Sequence, residues 1–193
     1  MLSALEALRA GDVALVPTDT VYGLAALPGS AGYDKIFQLK QRPKTQVLPW
    51  LVCDLGMLER YAADIPSYAR TLCQRFWPGA LTVVLKASDA ALDMGSVAED
   101  GTIAFRAPDN ETCQTLMRQL GSPLACTSAN LHGEPAVAER SKLSAHFACV
   151  AGFDELPSEC ALAMASTIVD CTGLLPVVLR TGPIPSKEVA ACV

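Results

Sequence analysis

Seven short apolar runs, each ended by a polar cluster or a turn, set the limits on what this chain can fold into. They are Val13–Val16, Leu48–Val52, Ala80–Lys86, Thr102–Arg106, Pro123–Cys126 and the segments 167–170 and 176–180. Each has the length of a buried strand rather than a helix. Stretches of helical spacing lie between them. Ser3-x-x-Glu6 reads as a capping box, with Leu5 and Leu8 after it and Gly11 as a stop, and predicts a helix over 3–10. Tyr33, Ile36, Phe37 and Lys40 share one face of a helix over 31–41. Further helices are expected near 54–62, over 66–76 with Pro66 in the first turn, over 110–120 and, more weakly, near 140–147. Strands and helices that alternate in this way predict an α/β or α+β fold with a mixed sheet.

A chain of 193 residues suits one domain with a sizeable core, here expected to run over 1–193 with no repeat or linker. Its 51% hydrophobic and 18% charged residues exclude a disordered chain. The net charge of -5 argues against gripping nucleic-acid backbone as the main work. Any contact with RNA is expected to be weak, local or indirect. No window holds the ~20 uninterrupted apolar residues of a membrane span, and Glu6, Arg9 and Asp12 interrupt any signal-peptide core. The eight cysteines contain no C-x-x-C and there are only two histidines, His132 and His146, so a Cys/His zinc site is not indicated. The cysteines are expected to be reduced packing residues in a cytoplasmic protein.

The usual nucleotide signatures G-x-x-x-x-G-K-[ST] and G-x-G-x-x-G are absent, as are G-x-S-x-G and H-E-x-x-H. What remains is a series of polar clusters near the ends of elements. Pro17-Thr18-Asp19-Thr20-Val21-Tyr22-Gly23-Leu24 follows the first strand, where ligands often sit, but also fits a hydroxyl-capped turn. Lys40-Gln41-Arg42-Pro43-Lys44 gathers three cations at a helix end, either a solvated terminus or an anion clamp. Arg106 and Arg180 each end an apolar strand. Thr127-Ser128-Ala129-Asn130 follows another, as a capped turn or a phosphate or carboxylate cradle. Ser166-Thr167 precedes Ile168-Val169-Asp170, and Phe76-Trp77-Pro78-Gly79 reads as a packing break.

Taken in order, P-T-D-T-V-Y-G-L, K-Q-R-P, F-W-P-G-A-L-T, F-R-A-P-D, T-S-A-N-L-H-G-E-P, S-T-I-V-D and V-L-R-T-G resemble the YrdC/Sua5 (TsaC) family, the threonylcarbamoyl-AMP synthases. The resemblance runs from residue 5 to about 185, nearly the whole chain. It implies an open, twisted sheet of parallel and antiparallel strands with helices packed around it and a concave basic cavity. It also implies an activity: L-threonine, bicarbonate or CO2, and ATP give threonylcarbamoyl-AMP and pyrophosphate. The product would pass to a tRNA threonylcarbamoyl-transferase complex for t6A37 modification.

Carried over by motif, ATP would meet Lys40, Arg42, Thr102, Ser128, Asn130 and Arg180. Threonine would meet Thr18, Arg106 and Ser166, with Cys126 and Thr127 as neighbouring backbone, and Arg106 would take its carboxylate. No covalent or acid–base residue is required. Mg2+ would travel with ATP, without a protein carboxylate cage. The chain departs from the family pattern at Val47-Leu48 with Pro49-Trp50, at Asn110 and His132, and at Ala161–Ala165, which lacks the expected glycine. It stops shortly after Arg180, as a short form without the Sua5-type second domain would. Two other readings stay open: a non-enzymatic RNA-binding or ribosome-maturation module, and a carbamoyl-adenylate transfer domain like that of hydrogenase maturation proteins.

Overall fold

In the computed structural model, residues 3–43, 46–162 and 164–193 are described. Lys44 of the basic cluster and Ala163 of the segment before Ser166 lie outside them. Among the described residues nine strands form one open sheet: β1 (Ala14–Val16), β2 (Gly23–Ala26), β3 (Trp50–Leu51), β4 (Ala62–Ala63), β5 (Leu81–Ala87), β6 (Thr102–Arg106), β7 (Leu124–Ser128), β8 (Thr167–Asp170) and β9 (Val177–Arg180). Their order is β1-β2-β7-β3-β6-β5-β8-β9, with β4 paired to β5. The pairs β3/β6 and β5/β8 are parallel and the others antiparallel. This is the mixed sheet that the alternation of elements predicts.

Side chains alternate along a strand, so each strand can serve two cores. Leu15, Leu24, Trp50 and Ala125 join one apolar cluster, while Val16, Ala25, Leu51 and Cys126 join the other. Helices α2 (Ala31–Lys40), α3 (Leu55–Tyr61) and α4 (Ser67–Phe76) close the first through Ile36, Phe37, Leu58, Tyr61 and Leu72. Helices α1 (Ala4–Arg9) and α6 (Glu111–Leu120) close the second through Ala7, Leu8, Leu116 and Met117. The capping box at α1 forms as the sequence indicates: Glu6 N–H donates to Ser3 Oγ, and Ser3 N–H donates to the Glu6 carboxylate.

Several elements differ from expectation. The helix near 140–147 is two 3-10 turns, Arg140–Lys142 and Ala145–Phe147. The Ser144 hydroxyl accepts from His146 N–H there, a local bond that competes with helix propagation. Pro66 has extended backbone and caps α4 from outside. Strand β3 covers only two residues of the run 48–52. Strand β2 begins inside the first polar cluster, where Gly23 and two following alanines carry little strand propensity. Its pairing with both β1 and β7 overrides that weakness. Helices α5 (Asp89–Met94) and α7 (Ser186–Ala190) and strand β4 were likewise not expected.

Candidate active site

The sheet register draws the polar clusters to one cavity of about 530 Å³. Gly23 opens β2 opposite Ser128, the last residue of β7, so the 18–22 loop stands against the Thr127–Asn130 turn. Leu81 on β5 faces Thr167 on β8, which sets the Thr82 and Ser166 hydroxyls 2.7 Å apart. Ile168 faces Arg180 across β8 and β9. The cavity is lined by Thr18, Arg42, Arg106, Cys126, Thr127, Ser128, Asn130, Ser166 and Arg180 of the expected set. Thr20, Gln46, Thr82 and Glu134 join them, with an apolar side that includes Val47, Pro49, Leu51 and Ile168.

Thr18 works mainly on its own turn. Its hydroxyl donates to the Val21 carbonyl at 2.6 Å and accepts the Thr20 and Val21 N–H groups, each at 3.2 Å. With that proton committed, the Thr20 hydroxyl donates to Thr18 Oγ1 at 2.9 Å. Thr20 Oγ1 in turn accepts from Arg106 Nη1 at 2.7 Å. Arg106 Nε donates to the Gly79 carbonyl at 3.0 Å, and Nη2 to Asp19 Oδ1 at 2.6 Å. This ion pair is deeply buried, with the two side chains 9% and 6% exposed.

Arg180 donates to the Ser166 carbonyl from Nε at 3.0 Å and to its hydroxyl from Nη2 at 3.2 Å. Burial and the nearby Arg106 charge both lower its pKa. Arg42 reaches the Gln46 side-chain oxygen at 2.9 Å and Thr127 Oγ1 at 3.4 Å, and burial lowers its pKa as well. Three guanidinium groups thus face one partly desolvated space, where an anion is attracted more strongly than in water.

Two residues expected to meet ATP, Lys40 and Thr102, do not line the cavity. Lys40 is buried and does not line the cavity: its ammonium donates to the Ser128 and Asn130 carbonyls, each at 2.6 Å. It holds the turn that carries Ser128. Burial and then the Arg42 charge push its pKa down to about 8. Thr102 begins β6 whereas Arg106 ends it, a separation of roughly 13 Å along an extended strand. Its hydroxyl donates to Asp100 Oδ1 at 2.7 Å, and it does not line the cavity. Spacing within a motif cannot show which end of a strand meets the ligand.

Of the departures from the family pattern, Val47 and Pro49 do line the cavity. Asn110 does not, and instead caps α6, accepting from Cys113 N–H at 3.0 Å. His132 is exposed and also lies off the wall. The roles of Asp19, Thr20, the Gly79 carbonyl and Thr82 were not read from the sequence, although each residue falls inside a quoted motif. Side-chain oxygen donors on the wall are hydroxyls, the Gln46 and Asn130 amides and the Glu134 carboxylate. Among the described residues no group of three or more His, Cys, Asp or Glu could hold a metal ion. No helix among them is long and apolar enough to cross a membrane.

The family model Sua5_yciO_yrdC, described as "Telomere recombination", matches residues 6–182. A Bacillus subtilis (strain 168) protein named threonylcarbamoyl-AMP synthase is 35% identical over 193 residues, covering 98% of this chain and 55% of its own. A Mycobacterium tuberculosis (strain ATCC 25618 / H37Rv) relative is 37% identical over 196 residues, covering 98% of this chain and 87% of its own. The crystal structure of Pyrococcus abyssi Sua5 complexed with L-threonine superposes with a TM-score of 0.86 at 31% identity, over 98% of this chain and 56% of that one. The chain therefore spans about half the length of the Bacillus and Pyrococcus proteins.

Proposed function

The chain belongs to the Sua5/YciO/YrdC family, and from that premise we propose that it makes L-threonylcarbamoyladenylate from L-threonine, bicarbonate or CO2, and ATP. The observation that carries this reading is the convergence of Arg42, Arg106 and Arg180 on one 530 Å³ cavity walled by hydroxyl-bearing strand ends. ATP and bicarbonate are anions, and threonine carries a carboxylate. The carbamate of threonine attacks the α-phosphorus and pyrophosphate leaves, a nucleotidyl transfer. Such a reaction asks the protein for alignment and charge neutralisation rather than covalent chemistry.

In this reading Arg106 takes the threonine carboxylate beside the Thr18–Thr20 turn. Arg42 and Arg180 meet phosphate oxygens, and the turn at Ser128 and Asn130 supports them. Lys40 acts by holding that turn. The cavity's hard oxygen donors suit a magnesium ion that arrives with ATP, its shell completed by water and phosphate. Ser128 and Glu134 are the residues that would border it, and its contribution is to offset phosphate charge. The product is a mixed anhydride suited to acylating an amine, which fits delivery to a tRNA threonylcarbamoyl-transferase complex. With a net charge of -5, tRNA contact by this chain itself is weak or indirect. A supply of ATP and delivery of the product for tRNA modification suit a cytoplasmic enzyme.

The test is pyrophosphate release from ATP in the presence of bicarbonate. Release that requires L-threonine, and falls sharply when L-alanine or L-valine replaces it, is the expected result. Tight RNA binding with no threonine-dependent release would favour the RNA module instead. Release with carbamoyl phosphate but not with threonine and bicarbonate would favour the carbamoyl-adenylate domain.

A further inference from the structure

Asp19 is the only carboxylate buried among the described residues. An isolated buried carboxylate is costly and persists when it is paired. Its Oδ1 accepts from Arg106 Nη2 at 2.6 Å and from the Asp109 N–H at 3.2 Å, while its buried Oδ2 has no hydrogen-bond partner. A side chain kept for stability alone gains little from such a half-satisfied state, since a neutral group of similar shape often serves as well.

The arrangement makes more sense from the side of Arg106. Three acceptors, Gly79 O, Thr20 Oγ1 and Asp19 Oδ1, each take a different nitrogen and together fix the plane of the guanidinium. A guanidinium has five N–H bonds. One therefore remains on each terminal nitrogen, and two such bonds side by side can meet both oxygens of a carboxylate. Arg106 lines the cavity and Asp19 does not, so the carboxylate stands behind the cation rather than beside the ligand. Its charge also offsets the repulsion of Arg106 by Arg180, which faces the same space.

We propose that Asp19 is a positioning residue: acting through Arg106, it presents the two remaining guanidinium N–H bonds to the carboxylate of the amino-acid substrate. The proposal rests on the reading of Arg106 as the carboxylate site. Asp19→Asn keeps the shape and an acceptor but removes the charge. It should weaken L-threonine binding about ten- to a hundredfold and raise the threonine KM in parallel, with the ATP KM held within about threefold. In an Arg106→Lys background the same change should add almost nothing, because residues that act as one unit are not additive.

Calorimetric binding of L-threonine needs no turnover and separates the two claims. A parent protein that binds threonine without releasing pyrophosphate would overturn the synthase reading, and binding would still decide the role of Asp19. A parent that does not bind threonine would overturn the role of Asp19. Equal losses on ATP and threonine, no loss, or a full additional loss in the Arg106→Lys background would each overturn it too. Should Asp19→Asn fail to fold, Asp19→Ser removes the charge with a smaller side chain and decides by the same readouts: a threonine-selective loss supports positioning and an unchanged KM refutes it.

Discussion

Lys40 donates a 2.6 Å hydrogen bond to the carbonyl of Ser128, and of the two residues only Ser128 lines the cavity. The lysine of K-Q-R-P therefore acts on the wall from within the protein. Lys40→Met would remove the shared donor: the Ser128 carbonyl keeps the Asn130 N–H at 3.0 Å, while the Asn130 carbonyl loses the ammonium. A buried group left unsatisfied costs about 1–3 kcal/mol. Urea unfolding should show a loss of that order, and an unchanged midpoint would mean that water replaces the ammonium freely.

The same lysine gives a pH dependence with a defined sign. Its folded pKa of about 8 lies below the ordinary 10.5, so between those values the unfolded chain binds more protons. Its contribution to folding stability is present above 10.5 and is lost as pH falls towards about 8. The cavity behaves in the opposite sense, because one positive charge beside the turn disappears as pH rises through about 8. ATP affinity, measured by titration at several pH values, should weaken across that midpoint. The step should vanish in Lys40→Met.

Arg106→Lys preserves a cation but not the planar fork. A lost charge-assisted hydrogen bond costs about 1.5–3 kcal/mol, roughly ten- to a hundredfold in affinity. Threonine dependence of pyrophosphate release should suffer by that factor and ATP dependence much less. A variant with unaltered threonine dependence would remove Arg106 from the carboxylate site.

Thr102→Val tests the geometry from the negative side. Thr102 bonds to Asp100 at the end of β6 away from Arg106, so the ATP KM should stay at the parent value. A large increase would show that the nucleotide reaches much further along the sheet than the cavity does.

Gly23 pairs with Ser128 across β2 and β7, with Cys126 as its diagonal neighbour, and a Cβ at residue 23 would collide with the Cys126 sulfur. Overpacking of this kind typically costs about 1–3 kcal/mol. Gly23→Ala should lower the melting temperature, and Cys126→Ala in the same chain should restore part of the loss. Equal losses with and without the sulfur would place the strain elsewhere.

Seven of the eight cysteines are buried and Cys149 is exposed. A thiol reagent should modify one residue quickly, Cys149, and the rest only on unfolding. From its place beside the T-S-A-N turn, Cys126 looks like the natural exception. Burial instead pushes its thiol up to about 12, which keeps it protonated and slow. Peptide mapping after brief labelling would identify the reactive site, and rapid modification of Cys126 would contradict this account.

The sequence by itself determined the class of fold and where the chemistry is concentrated. Strand-length apolar runs that alternate with capped amphipathic segments can bury their faces only in a layered α/β arrangement. Glycines, hydroxyls and arginines at strand ends mark the places where backbone stops being consumed by packing. Both properties are local and can be read within a few residues. Tertiary structure alone decided which of those ends meet. The register of Gly23 on Ser128 and of Leu81 on Thr167 brings Thr18, Arg106, Ser166 and Arg180 to one cavity. It leaves Thr102 at the far end of its strand and turns Lys40 inward to the carbonyls of the Ser128 turn. Asp19 shows the same division. Its place in P-T-D-T is visible in the sequence, but its partner lies 87 residues away. A buried charge finds its counterion through space, and only the folded sheet sets that distance.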